Sequence, residues 1–335
     1  MEQRKIMSLG RSSLVISLPR YWTQLTGLKA GDIVSVAIGR DRSLIVYPGL
    51  KKDRELNEIT LYIEPNEDSS LLARKIIACY LNGYSIIKLI SKNYFTVTQQ
   101  RVIRRTAQKM YLRIMEADLK EIRLMTLMDE SKGSVKASIS RIYDISNSMC
   151  RDALVALKGH DAELARSVYL LDSEVDHFTF FLLRILRKAS KEPLLANELG
   201  LDPVDCLDFQ ALTYNIEGIA DQAATIAKHV IVLGEENKRI SEQLVERICS
   251  AGHEALSIYE KAFTIFLEGE PKDMAEIIRR RNQLRKIDEE IATLSFSEEK
   301  SAETICACCA LRDSILRIGD YSVNIAEVAI NRLYR

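Results

Sequence analysis

Apolar residues recur with a 3.6-residue period from Val135 to Arg335, and few folds other than helical bundles accommodate so long a stretch of this pattern. Turn signals divide the stretch into six helix-length segments. These signals lie at Gly159, 193–203, Gly234, 269–271 and 295–301. Long helices joined by short connections form antiparallel bundles, so the pattern predicts a mainly helical body.

The helical region contains an internal repeat. The aligned pairs are Asp161 with Asp273, Asp176 with Asp288, and Asp221 with Asp320. In both halves the second Asp of the series follows the first by fifteen residues. A repeat of this kind indicates one supersecondary unit used twice. We therefore predict two three-helix bundles in tandem, at residues 134–234 and 235–335.

The first 50 residues have a different composition, because they hold five of the 14 Gly and two of the six Pro. Leu14–Leu18 is typical of a strand, and a short helix is expected between Pro19 and Gly27. Ile33–Ile38 and Ser43–Tyr47 predict a hairpin. So small a unit buries too little surface to be stable alone. We therefore expect residues 1–50 to form a homodimer.

Charge is also uneven along the chain. The 47 Lys plus Arg equal the 47 Asp plus Glu, which excludes a uniformly basic nucleic-acid coat. Residues 1–50, however, carry seven basic and three acidic side chains. Those suited to phosphate contacts flank the predicted strand ends; they are Arg4, Lys5, Arg11, Ser12, Ser13 and Arg20. We predict that they bind DNA, and the alternative is an ordinary solvated strand pair.

This segment resembles the AbrB/MazE (SpoVT-AbrB) family of swapped-hairpin domains. The resemblance is carried by GRSSLVISLP at 10–19, by GLKAGD at 27–32 and by LIV at 44–46. It implies that two chains exchange hairpins to form an obligate dimer whose basic loops lie on DNA.

Residues 51–133 predict a small α/β connector. Strands are expected at 59–63, at 85–90 and near 121–127, with helices at 69–81 and from a Thr98 cap to Met110. The segment shows no recognisable chemistry. A structural role and a sensory role are equally open.

Two pairs of carboxylates stand four residues apart in the first half of the helical region: Asp172 with Asp176, and Glu217 with Asp221. Each pair projects from one helix face, where like charges repel. Four carboxylates that converge from two helices suit a metal ion such as Mg, Mn, Fe or Zn. A solvated acidic face is the alternative. In the second half, Leu284 and Leu316 replace the first acid of each pair, so we expect one site per chain.

The helical region resembles the PhoU family of phosphate-signalling proteins. The resemblance is carried by RIGDYSVNIA at 317–326 and by DALVAL at 152–157. It implies a metal cluster at the acid-x-x-x-Asp positions. The whole chain resembles an archaeal-type fusion, α+β and mainly α, of a swapped-hairpin unit, a connector and tandem PhoU repeats.

Other chemistry finds little support. Cys306, Cys308 and Cys309 lack a second Cys/His pair at zinc spacing, so we interpret them as small residues that pack helices. The basic residues at 279–281 and 285–286 are typical of a solvated helix face. No catalytic triad, P-loop or dinucleotide motif occurs, and we expect no enzyme. A ferritin-like metal enzyme is the rival, although neither acidic pair contains Glu-x-x-His.

No run of 18 apolar residues occurs, and the first ten residues lack the apolar core of an export signal. We therefore expect a cytoplasmic protein that is not inserted in a membrane and whose seven Cys are reduced. The leading hypothesis is a DNA-binding transcriptional regulator of phosphate uptake. The alternative is an adaptor that contacts a phosphate transporter or sensor kinase, with the N-terminal unit serving only to dimerise.

Overall fold

The structure is a computed structural model that describes residues 2–39, 42–49, 57–128, 133–268, 273–299 and 301–335. The chain divides into two compact units, Met1–Leu56 and Asn57–Arg335. The predicted turn at 269–271 and the predicted boundary at 50/51 lie outside the described residues.

The N-terminal unit, Met1–Leu56, consists of two hairpins and a short helix. Its elements are β1 (Met7–Leu9), β2 (Ser13–Val15), α1 (Arg20–Thr26), β3 (Val34–Ile38) and β4 (Leu44–Pro48). β1 pairs with β2 and β3 with β4, both antiparallel. Helix α1 ends at Gly27, whose φ of 71° favours glycine. Residues 16–18, predicted to continue a strand, lie outside β2, because β1 supplies partners only as far as Val15.

Ala37 is the one buried residue among those that the structure describes in the N-terminal unit. Most of the large apolar side chains of this unit are exposed. They are Ile6, Met7, Leu9, Leu14, Ile16, Leu18, Tyr21, Leu25, Ile33, Val36, Ile38 and Leu44. One copy of the unit therefore has no hydrophobic core in its described part.

The second unit begins with an α/β part. Its elements are β5 (Glu58–Ile63), α2 (Ser69–Leu81), β6 (Ile86–Ser91), α3 (Val97–Lys109), β7 (Leu112–Ala117) and β8 (Glu121–Thr126). The sheet order is β5-β6-β8-β7, with β5 parallel to β6 and the other pairs antiparallel. Apolar side chains of α2 and α3 pack with those of the sheet in one core; they include Leu72, Ile76, Ile87, Leu89, Ile103 and Leu124.

Two details of this part differ from the prediction. Helix α3 is capped by Thr96 rather than Thr98. The Thr96 hydroxyl accepts from the Gln99 N–H at 3.2 Å, and the Gln99 side chain accepts from the Thr96 N–H at 3.1 Å, which completes a capping box. Strand β7 was not predicted, since this edge strand leaves most of its side chains partly or fully exposed and so lacks a clear apolar alternation.

The helical body follows, with six long helices and one short one in the described residues. They are α4 (Val135–Gly159), α5 (Ala162–Ala189), α6 (Pro193–Leu199), α7 (Pro203–Glu235), α8 (Glu242–Glu268), α9 (Met274–Glu298) and α10 (Ala302–Leu333). α4, α5 and α7 form the first bundle, and α8, α9 and α10 form the second. α7 also packs on α10 and α4 on α8, so the two predicted bundles share one continuous core.

Helix α9 is longer than the sequence predicts, because it continues past Ser295 to Glu298. The sequence predicts a loop at 295–301. In the structure the Ser295 hydroxyl donates to the Ile291 carbonyl at 2.7 Å, which satisfies this buried side chain inside the helix.

A buried arginine attaches the first bundle to the α/β part. Arg184 of α5 is fully buried, and its guanidinium donates to the carbonyl oxygens of Tyr84 at 2.9 Å, Gly83 at 3.2 Å and Tyr80. It also lies 4.7 Å from the centre of the Tyr80 ring. These carbonyls lie at the C-terminal end of α2, where the helix dipole favours a cation. Arg184 thus fixes α5 to the turn between α2 and β6.

Candidate functional site

The residues predicted to bind DNA are all exposed in the N-terminal unit. Arg4 and Lys5 precede β1, Arg11 and Ser12 occupy the turn between β1 and β2, and Ser13 begins β2. Arg20 is the first residue of α1. Arg11 is therefore presented at the tip of a hairpin, where it is free to approach a large ligand.

One copy of the unit does not bring these six residues into a single cluster. Leu9 pairs with Ser13 near the turn, whereas Met7 pairs with Val15 toward the open end. Lys5 therefore lies beyond the open end, roughly 15 Å from the turn at the rise of a strand. Arg4 also pairs with Glu2 at 2.6 Å, which reduces its charge locally.

The four carboxylates predicted from the helical region do meet in the structure. Asp172 and Asp176 project from α5, and Glu217 and Asp221 project from the facing side of α7. We call them the acidic cluster. Asp172, Asp176 and Glu217 are half-buried, and Asp221 lies at the exposed rim. The close packing of α5 on α7, predicted as part of the first bundle, explains why pairs about 45 residues apart face each other.

The acidic cluster is electrostatically strained. Burial, and then the charges of Asp176 and Asp221, raises the pKa of Asp172 to about 6. Burial, followed by the charges of the other three carboxylates, raises the pKa of Glu217 to about 7. Partial desolvation, followed by the charge of Asp176, also raises the pKa of Asp221. The contact with the Asp221 carboxyl adds to the raised pKa of Asp172. The cluster therefore attracts protons or cations at neutral pH.

Lys109 supplies a cation from outside the bundle. It is the last residue of α3, and its ammonium group forms an ion pair with Asp176. The same group lies 5.5 Å from the centre of the Phe180 ring. Beside it, the Tyr111 ring packs against His177 at 4.7 Å. The α/β part thus covers one side of the acidic cluster.

The donor chemistry of the cluster suits a hard cation, since all four groups are carboxylates. The arrangement is less suited, because Asp176 is engaged by Lys109. Across the described residues, no three His, Cys, Asp or Glu side chains are arranged to hold one metal ion. Metal binding at the cluster therefore stays a prediction, and it requires side-chain movement.

The corresponding positions of the second bundle are neutralised. Asp288 on α9 accepts two hydrogen bonds from Arg312 on α10, at 2.8 and 2.7 Å. Asp320 on α10 accepts from Arg281 on α9 at 2.6 Å. Buried Leu284 lies at the position equivalent to Asp172. The two aspartates that correspond to Asp176 and Asp221, Asp288 and Asp320, therefore each have an arginine partner.

Two interpretations of other residues need correction. Cys308 is buried as expected, but Cys306 and Cys309 are exposed, because α10 turns them toward solvent; all seven Cys are free thiols. The basic stretch of α9 is only partly solvated. Arg280 binds Glu254 at 2.6 and 2.8 Å, as Arg281 binds Asp320.

The sequence analysis missed two cations, Lys109 at the acidic cluster and Arg184 at the contact between α5 and the α/β part. Lys109 gave no signal, because its contact with Asp176 joins segments 67 residues apart. Arg184 did give one: it interrupts the apolar run FFLL-R-IL at 180–186. A lone arginine in such a run indicates a buried and hydrogen-bonded cation.

The comparisons with known proteins concern the helical body. The family model described as the PhoU domain matches residues 139–230 and 248–329, one segment in each bundle. No curated protein matches the chain. No described helix has the length and apolarity needed to cross a membrane.

Two solved structures are similar. PhoU from Pseudomonas aeruginosa is 20% identical, with 60% of this chain and 95% of that chain covered and a TM-score of 0.41. The phosphate transport system regulatory protein PhoU from Streptococcus pneumoniae is 19% identical, with 58% and 91% covered and a TM-score of 0.48. The two segments matched by the family model together span more than half of the chain. The chain therefore belongs to the PhoU family.

Proposed function

We propose that the protein is a cytoplasmic, dimeric regulator of phosphate uptake whose N-terminal unit binds DNA and whose helical body receives the phosphate signal. Membership of the PhoU family supports the role in phosphate regulation. The DNA-binding part is supported by an exposed basic turn, and no step of the proposal requires a metal ion or an enzymatic reaction.

The observation that carries the proposal is the state of the N-terminal unit. Its apolar side chains are exposed, and Ala37 alone is buried among its described residues. A second copy that covers this surface supplies the missing core. The two short hairpins are compatible with an exchange of strands between copies. Dimerisation would also present Arg11 and Ser12 twice, which doubles the phosphate contacts that they can make.

Regulation then follows from the way a dimer responds to a signal. A partner or ligand that binds one arrangement of the body better than another shifts the population toward that arrangement. If the arrangement also sets the spacing of the two DNA-binding units, signal and DNA binding are linked reciprocally.

The test is DNA binding by the full chain across a series of salt concentrations, on a duplex of generic sequence. We expect affinity to fall steeply with salt, because neutralised phosphates release counterions. Arg11→Ala should lower the slope by about two in a dimer, since each lost phosphate contact removes about 0.9. Lys120→Ala, an exposed lysine of the second unit, is the control. Absence of binding at low salt, or a flat series, removes the DNA-binding proposal.

The adaptor function is the second candidate. The ion pair of Arg4 with Glu2 and the separation of Lys5 from Arg11 within one hairpin favour it. Alanine at Arg4, Lys5 and Arg11 distinguishes the two. A triple variant that stays dimeric, loses DNA binding and still gives a normal phosphate response in cells supports the adaptor. Loss of that response together with DNA binding supports the regulator.

A further inference from the structure

The first bundle contains a cavity of about 350 Å³ that has no part in the proposed function. It lies where the turn between α4 and α5 meets the connection between α7 and α8. Its floor is apolar and consists of the buried side chains of Leu157, Val230, Leu233 and Ile240. Ala162, its lining residue at the start of α5, precedes Asp172 by ten residues, or about 15 Å along the helix.

Two residues with left-handed backbone shape the wall of the cavity. His160 (φ 51°) ends α4, and Asn237 (φ 50°) follows the end of α7. Each reverses the chain so that the next segment crosses the bundle end. Gly234 lets α7 approach α5 closely, since a Cβ there would lie 3.2 Å from that of Ala162. The cavity is therefore a product of the bundle's own turns.

Helix dipoles do not decide the sign of the charge here, because two helices end at the cavity and two begin near it. Side chains decide it. Arg166, Lys238 and Arg239 line the rim together with His160, and Glu235 is the one carboxylate among the lining residues. The rim is therefore cationic.

The basic side chains of the rim differ in how far they are already paired with acids. Arg166 binds Glu235 at 2.7 Å and Glu163 at 2.6 Å. Lys238 contacts Glu303 only at 3.5 Å. Within the described ranges, the side chains of Arg239 and His160 have neither an ion pair nor a hydrogen bond. Two donors, and a third held weakly, are thus available to an anion above an apolar floor.

We propose that this cavity binds a small organic phosphate, with the phosphate group at Arg239, His160 and Lys238 and the organic part on the apolar floor. A phosphate ester carries up to two negative charges and three acceptor oxygens. It can therefore engage several basic donors at once, whereas a ligand with a single carboxylate offers one charge and two oxygens. The fork of an arginine fits such a group in two-point contact. A volume of about 350 Å³ leaves room for more than the phosphate alone.

The test is calorimetric titration of the full-length protein with phenyl phosphate, AMP and inorganic phosphate. We expect at least one of the two esters to bind tighter than inorganic phosphate, because only an ester reaches the floor. Arg239→Gln should lower the affinity for that ester at least tenfold. Arg247→Gln, which removes an exposed arginine of α8 outside the cavity, should leave its affinity unchanged.

A second measurement locates the ligand. The chain has four His, so the ring signals of His160 can be assigned in NMR spectra with His160→Asn, which keeps the left-handed backbone. We expect these signals to shift on addition of the ester that binds. Failure of all three probes to bind overturns the proposal. So does equal weakening by the Arg239 and Arg247 variants, inorganic phosphate binding as tightly as the esters, or an unshifted His160 signal.

Discussion

The two bundles use equivalent positions in opposite ways. In the first, Asp172 and Asp176 face Glu217 and Asp221, and the cation that answers them, Lys109, comes from the α/β part. In the second, the equivalents of Asp172 and Glu217 are leucines, and two arginines of the bundle itself pair with the remaining acids.

The repeat alignment identifies the exchanges that cause this difference. Arg281 stands where the first half has Tyr169, and Arg312 stands where it has Thr213. Four substitutions thus convert an acidic cluster, whose strain is relieved only by protons or an external cation, into two closed ion pairs. The same helix packing carries a responsive site in one half and a static one in the other.

The largest effect on stability should come from removing an ion pair of the second bundle. Arg312→Leu leaves Asp288 without its partner at a position where both side chains are only 16% exposed. We expect a loss of about 2–4 kcal/mol in the free energy of unfolding, measured with urea at pH 7. Replacing both Arg312 and Asp288 by Leu should recover most of it. Arg317→Ala, in the exposed pair with Asp313, should cost less than about 0.5 kcal/mol; equal losses from Arg317→Ala and Arg312→Leu would contradict the comparison.

Giving the first bundle the leucines that the second bundle has at the positions of Asp172 and Glu217 should stabilise the protein at high pH. The pKa values of Asp172 and Glu217 are raised on folding, so the folded wild-type protein binds more protons than the unfolded chain between about pH 4 and pH 7. Its stability should therefore fall as pH rises through this window. Asp172→Leu with Glu217→Leu should add about 2 kcal/mol at pH 8, after allowance for solvent screening, and little at pH 4.5.

The measurement is the urea midpoint of metal-free protein at each pH. Glu246→Leu, which removes an exposed acid of α8, should show no such pH dependence. A wild-type protein whose stability stays constant from pH 5 to pH 8 would show that the cluster is not strained.

Metal binding should distinguish the two halves. Titration with Mn²⁺, followed by calorimetry, should detect one site per chain. Asp221→Asn should weaken it at least tenfold, about 1.4 kcal/mol. Asp320→Asn should leave it unchanged, because Arg281 already neutralises Asp320. If the wild-type chain binds no Mn²⁺, the metal hypothesis fails, and only protons and Lys109 neutralise the acidic cluster.

The smallest effect should come from Lys109. Lys109→Met removes the cation that contacts Asp176, and we expect a loss of about 1 kcal/mol at pH 7, limited by the 42% exposure of the lysine. Lys109→Arg should restore stability. Lys92→Met, in an exposed pair with Glu64 at 3.0 Å, is the matched control and should change little. A Lys109 variant that behaves like the Lys92 variant would mean that the ion pair contributes nothing.

Much of the helical body could be predicted because its information is local. The spacing of Asp172 and Asp176 places them on one helix face whatever surrounds the helix. The turn signals at Gly159 and Gly234 lie at or next to the ends of α4 and α7. The predicted loop at 295–301 begins too early, because the Ser295 hydroxyl is bonded within α9 and the helix continues to Glu298.

What escaped prediction depends on contacts between distant segments. Nothing near Lys109 in the sequence marks it as the partner of Asp176, because the pair exists only once α3 packs on α5. The edge strand β7 could not be predicted for a related reason. Its pairing with β8 makes it a strand, whereas its own sequence lacks a clear alternation of apolar and polar residues. Packing between elements, rather than residue type, decides such features.

Arg184 gives α5 a mechanical property. It lies eight residues beyond Asp176 on one unbroken helix, a distance of about 12 Å. A rotation of α5 at the end that carries Asp176 would move the α2–β6 turn as well, or it would break the three hydrogen bonds from Arg184 to Tyr80, Gly83 and Tyr84. We therefore expect the first bundle and the sheet beside it to move as one body at this contact.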